Sequence, residues 1–179
     1  MKKLLFIISI VFYGCAFGQR NLVFTELGGN GGLFSFNYER QLTTDFGLSL
    51  RAGIGMTAFD FKKEEPFEPV PGCIGCGVFS GLPDFVMSLP ISVQYLFDLN
   101  RNNYLETGLG YTWQAPAGGY DDKSIQVFHA SLGFRRYFGT GKKWMWKIML
   151  SPIIGVAGEN VYRDQGPDLW GGISIGKRF

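Results

Sequence analysis

One histidine, three cysteines and almost no charge surplus set the limits on this 179-residue sequence. Zinc at Cys73 and Cys76 would need two more ligands, and the only histidine, His129, is far away in sequence, so no metal is expected. No Walker, Rossmann or EF-hand pattern appears, and the Gly28-Gly29-Asn30-Gly31-Gly32 run lacks the following helix that a phosphate loop requires, so no cofactor is expected either. Lysine and arginine number 17 against 15 acids. Without Lys2 and Lys3, which fall in a predicted leader, both signs number 15. A neutral chain with scattered charge excludes nucleic acid as a partner. Beyond the first few residues no run of 18 apolar residues occurs, which excludes helical membrane spans.

The amino terminus reads as a secretion signal. Met1-Lys2-Lys3 is a short positive region, Leu4 to Tyr13 is apolar, and Ala16-Phe17-Gly18 supplies small residues for a peptidase, with cleavage expected before Gln19. Cys15 does not make a lipobox, because the bulky Phe12-Tyr13 pair departs from the small residues such motifs use. The expected domains are therefore a signal peptide over 1–18 and one domain over 19–179.

What the sequence has in quantity is glycine, 26 residues, and aromatics, 16%. It arranges them at period two. The predicted strands are 22–30, 32–41, 46–58, 85–98, 103–114, 124–138, 144–157 and 168–179, each about ten residues or more, long enough to cross hydrocarbon at a tilt. Phe34, Phe36 and Tyr38 alternate with Ser35, Asn37 and Glu39; Leu48, Leu50, Ala52 and Ile54 alternate with Ser49, Arg51, Gly53 and Gly55. In the fourth strand Phe85, Met87, Leu89, Ile91, Val93, Tyr95 and Phe97 share one face. Seven bulky side chains per strand would overfill a small barrel. The alternation fits an inverted barrel, with bulky residues in lipid and small polar ones inside. The last strand, alternating Leu169, Gly171, Ile173, Ile175 with Trp170, Gly172, Ser174, Gly176, ends on Phe179, as a membrane barrel's closing strand does.

Connection lengths give an orientation. Residues 42–45, 99–102 and 139–143 are short periplasmic turns, while 59–84, 115–123 and 158–167 are longer external loops. The Gly28–Gly32 connection is expected as a tight external turn. Tyr38, Phe46, Tyr95, Phe97, Tyr104, Phe138, Trp144, Trp146 and Phe179 would form a periplasmic aromatic girdle, with Phe59, Phe61, Phe85, Trp113, Phe128 and Trp170 towards the outside. Pro90 and Pro152 each delete a ladder donor within a strand and predict a bulge or gap. Arg136 has outward parity, which places it near the interface.

On this pattern, the Glu26-to-Arg40 hairpin and the terminal Phe179, the chain resembles the small eight-stranded outer-membrane barrels of Gram-negative bacteria, the OmpA/OmpX-like and porin-like superfamily. The resemblance covers the whole mature chain. It implies an all-β, antiparallel up-and-down transmembrane barrel in the outer membrane, surrounded by its lipid, and leaves the activity open.

Inward parity collects Glu26, Glu39, Arg51, Glu106, Arg135, Lys147 and Arg178. An interior this narrow is filled by side chains, so the expectation is a salt-bridge network that plugs the lumen. A charged constriction in a narrow passive pore for small solutes is the alternative. Cys73-Ile-Gly-Cys76, within a Pro/Gly-rich loop in an oxidising compartment, predicts a structural disulfide; redox catalysis would want a helix amino terminus that this loop does not offer. His129-Ala130-Ser131 is similar to the H-x-S element of barrel-type lipid A deacylases, but Leu132 replaces the usual Asn, no acid follows at a suitable spacing, and parity points both residues into the lumen. No enzyme is therefore expected, with a deacylase-like role for His129 and Ser131 as the alternative. A structural or loop-mediated role remains, with the external loops open to a protein or glycan partner. A soluble lipocalin-like barrel would require the apolar faces to point inward.

Overall fold

The computed structural model describes residues 21–43, 47–59, 84–116, 124–157 and 169–179. They form eight antiparallel strands, β1 Asn21–Gly28, β2 Phe34–Gln41, β3 Leu48–Phe59, β4 Asp84–Asp98, β5 Asn103–Pro116, β6 Ile125–Phe138, β7 Trp144–Ala157 and β8 Leu169–Arg178. Each strand pairs with the next in sequence, and β8 returns to β1, so the sheet is a closed up-and-down barrel. Closure leaves no unpaired strand edge, the condition for placing a sheet in hydrocarbon.

The barrel is inverted relative to a soluble one. Along β4, Met87, Leu89, Ile91, Val93, Tyr95 and Phe97 are exposed while Ser88, Ser92 and Gln94 are buried. The same holds around the ring: Phe36, Ile54, Leu109, Leu132, Ile148 and Ile173 are all about half exposed or more, and Arg51, Arg135 and Lys147 are sealed inside. A contiguous apolar belt on every strand cannot be stable in water, and only a membrane satisfies it. The soluble-barrel alternative is thereby overturned, since it needs the opposite parity.

Two prolines mark the irregularities in the ladder. Partners Ala52↔Ile91 and Gly55↔Ser88 keep one register, but the rungs between them, opposite Pro90, are missing. Between β6 and β7 the register shifts between Phe128 and His129, close to Pro152. Each proline lacks the N–H a central rung requires. The short turns depend on left-handed backbone: Gly139 and Gly141 in the β6–β7 connection, and Asn100, Arg101 and Asn102 in the β4–β5 connection. The Asp98 carboxylate accepts the Asn100 N–H at 2.7 Å and fixes that turn.

Two sequence expectations are corrected. Gly28–Gly32 is not an external turn. Its central residues, Gly29–Gly31, form one 3-10 turn that folds down into the barrel mouth and is fully buried. Tyr104 does not join the aromatic girdle expected at the short-turn end; it is 3% exposed, inside the barrel, edge-on to Tyr137 at 5.6 Å. The predicted leader 1–18, Phe46, Phe61, Cys73 and Cys76 lie outside the described residues.

Candidate functional site

The interior is filled in three layers. At the end where the short turns lie, Leu22, Phe24, Leu96, Tyr104, Tyr137 and Met145 form an apolar cluster. These are inward positions of β1, β4, β5, β6 and β7, so the core is not uniformly polar as the sequence pattern suggests. Parity alone places them inside, since Phe24 shares a face with Glu26, Tyr104 with Glu106, Tyr137 with Arg135 and Met145 with Lys147.

Above the cluster lies a chain of ion pairs. Arg135 holds Glu39 at 2.6 Å and also contacts Glu106. Lys147 reaches Glu106 at 3.0 Å and Glu26 at 3.9 Å. Arg51 completes the chain on Glu26 at 2.6 Å. Signs alternate along the whole path, Glu39–Arg135–Glu106–Lys147–Glu26–Arg51, so three acids meet three bases. Such burial costs several kcal/mol per ion unless every charge is met and its remaining valences are filled. Here they are supplemented: Arg51 donates to Asn37 Oδ1 at 2.9–3.0 Å, Asn37 donates to Ser35, and Ser174 donates to Glu26 at 3.0 Å. The two layers join through Phe24, whose ring lies 5.0 Å from the Arg51 guanidinium and 4.7 Å from Lys147 Nζ. Arg178, grouped with these residues in the sequence, is only half-buried, its guanidinium 4.8 Å from the Tyr137 ring.

The third layer is the inward 3-10 turn and the hydroxyls that hold it. Ser88 of β4 donates to Gly31 O at 2.6 Å, Thr112 of β5 donates to Asn30 O at 2.9 Å, and Ser151 of β7 bonds Asn30 Oδ1. Glycine is required for this entry. A Cβ at Gly31 would collide with Ser35, and Gly32 has φ +92° with Thr57 against the place its Cβ would take. Sequence reasoning missed this layer because two of the three bonds go to backbone carbonyls of the run, Gly31 O and Asn30 O, with the Asn30 side chain taking the third.

His129 belongs to this third layer and is 3% exposed. Its Nε2 lies 3.2 Å from Thr112 Oγ1 and its Nδ1 3.5 Å from Ser151 Oγ. Thr112 already donates to Asn30, so it accepts from an Nε2–H, which assigns the tautomer. Ser131 is buried on the same face, but its hydroxyl makes no hydrogen bond. The two residues of the H-x-S element are thus not paired. A small pocket of about 20 Å³ beside His129, lined also by Asn30, Gln114, Ser151 and Trp170, has room for about one water. Among the described residues no group of His, Cys, Asp or Glu is placed to hold a metal ion.

No known family model matches the chain, and no curated protein matches it in sequence. Solved structures match in shape. The amino-terminal barrel domain of OprF from Pseudomonas aeruginosa superimposes with a TM-score of 0.50 at 12% identity, over 90% of this chain and 96% of that one. A major outer membrane protein of Thermus thermophilus aligns with a TM-score of 0.48 at 13% identity, over 90% of this chain and 100% of that one. The attachment invasion locus protein Ail of Yersinia pestis aligns with a TM-score of 0.41 at 12% identity, covering 90% and 97%. The fold is the closed eight-stranded antiparallel barrel also found in the amino-terminal domain of OprF.

Proposed function

We propose that the chain is an integral outer-membrane protein with a sealed interior, acting through the segments that join its strands at the end opposite the short turns. The observation that carries this reading is the filling of the lumen by three successive layers, each built from several strands. A conducting pore needs a continuous wet path. Here such a path would have to cross a charge-neutral ion-pair chain, an apolar cluster and a buried turn held by three hydroxyls. Function is then left to surfaces outside the barrel. Residues 60–83, 117–124 and 158–168 are long enough to present a binding surface to a protein or glycan, while the strands supply a rigid base.

The test is single-channel recording of the inserted protein in planar bilayers, with insertion verified by heat-modifiable gel migration. Inserted protein is expected to show no conductance. Discrete steps from wild-type protein would overturn the sealed reading and favour the narrow pore.

A further inference from the structure

Charge in this chain, whose formal net value is +2, is not spread evenly. The segments 60–83, 117–124 and 158–168 contain nine acidic and four basic residues. The lumen chain balances. At the opposite end, outside the lumen, the described residues include seven bases and one acid, Asp98. Five of those bases are exposed and lie on neighbouring elements: Arg101 in the β4–β5 turn, Arg136 on β6, Lys142 and Lys143 in the β6–β7 turn, and Lys177 on β8. The register brings them together. Arg136 pairs with Asn103, two residues past Arg101; Lys177 pairs with Trp144, the residue after Lys143. They form one continuous basic arc over half of the rim.

Their height on the barrel identifies the occupant. Lys177 Nζ lies 5.7 Å from the Trp144 ring, and Arg136 stands opposite Trp146, itself 5.6 Å from Phe134. Trp144 and Phe138 are exposed on the same band. Tryptophan and tyrosine belts sit at the headgroup level of a bilayer, so these cations reach the phosphate plane and not free water. Long basic side chains at that level extend to it by snorkelling.

We propose that this arc is a docking surface for anionic phospholipid headgroups, of the phosphatidylglycerol class, which it selects over zwitterionic ones. The inference rests on the membrane reading above and is independent of the loop-mediated role. Each cation near an anionic surface strengthens association roughly fivefold in the favourable limit, and screening by salt weakens it. A net selectivity of at least about fivefold is therefore expected from the five together.

The test uses the full chain inserted in phosphatidylcholine vesicles, with the mobility-restricted fraction of spin-labelled phosphatidylglycerol compared with that of spin-labelled phosphatidylcholine. Wild-type protein should retain the anionic probe preferentially, and high salt should remove the preference. The variant K142Q/K143Q, confined to an exposed turn, should reduce it, and adding Arg136→Gln and Lys177→Gln should bring the ratio close to one. Equal retention of both probes by inserted wild-type protein overturns the proposal, as does a preference that these substitutions leave intact. Co-sedimentation with purified peptidoglycan in place of lipid selectivity assigns the arc to a wall polymer and overturns it as well. Failure to insert, read by heat-modifiable migration, would instead contradict the membrane reading itself.

Discussion

Arg135 and Lys147 stand directly opposite each other across the β6–β7 ladder, both fully buried in the lumen. Like charges at opposed positions destabilise a sheet, and without water the repulsion is unscreened. Glu106, one strand further along on β5, contacts both and makes the arrangement stable. The ion-pair chain is therefore not a set of separable bridges. Its middle acid neutralises two cations that the strand register has forced together.

Glu106→Gln should accordingly be among the most damaging polar substitutions in the barrel. It leaves two buried cations face to face, and breaking a buried pair costs about 3–5 kcal/mol. Urea unfolding from lipid vesicles, followed by gel migration, would read the loss. The double variant Glu106→Gln/Lys147→Met removes one charge of each sign and should recover much of it. An E106Q protein as stable as the exposed-turn variant Lys142→Gln would show that the chain contributes nothing to stability.

Phe24 couples the apolar layer to the charged one. Phe24→Ala removes a buried ring and both of its cation contacts, and core Phe→Ala substitutions cost about 3–5 kcal/mol. The layers above remain, so the variant should still be silent in planar bilayers. Conductance from Phe24→Ala alone would mean that the apolar cluster is the only seal, and that the ion-pair chain and the turn leak.

The inward 3-10 turn depends on backbone that only glycine adopts without strain. Gly32→Ala places a Cβ against Thr57 at φ +92°, which should cost about 1–3 kcal/mol. The strain falls on the turn and not on the strands. Amide exchange at Asn30 and Gly31 should rise while exchange in β5 and β6 stays slow. Uniform acceleration across the barrel would instead place the loss in the sheet.

Much of this architecture was legible in the sequence because a strand has only two faces. Once Phe34, Phe36 and Tyr38 are assigned to lipid, Ser35, Asn37 and Glu39 must face inward, and the inward positions of all six members of the ion-pair chain follow. Which of them pair was not legible, because that depends on stagger between strands: Glu39 stands opposite Arg51 in the ladder, yet Arg51 reaches Glu26 and Glu39 reaches Arg135. The inward turn was hidden for a different reason. Gly28–Gly32 satisfies the rules for a tight hairpin, and its entry into the lumen is decided by Ser88, Thr112 and Ser151, far away in sequence. Tyr104 was misplaced because aromatic identity was weighed above its parity with Glu106.

His129 and Ser131 separate a structural role from a catalytic one. His129 sits between Thr112 and Ser151 under the turn, so His129→Leu removes the N–H that Thr112 accepts while both hydroxyls keep their bonds to Asn30, and it should cost about 0.5–1.5 kcal/mol. His129→Gln keeps a donor within reach of Thr112 and should cost less. The Ser131 hydroxyl has no hydrogen-bond partner, so Ser131→Ala removes nothing the fold uses and should stay within about 0.5 kcal/mol of wild type. A Ser–His nucleophile would behave in the opposite way, since both substitutions would abolish ester hydrolysis whatever they did to stability. Unfolding midpoints of the three variants, measured beside release of acyl chains from lipid A, distinguish the cases. Acyl release by the wild type that disappears in both His129→Leu and Ser131→Ala would make the pair catalytic and the hydrogen-bond assignment incomplete.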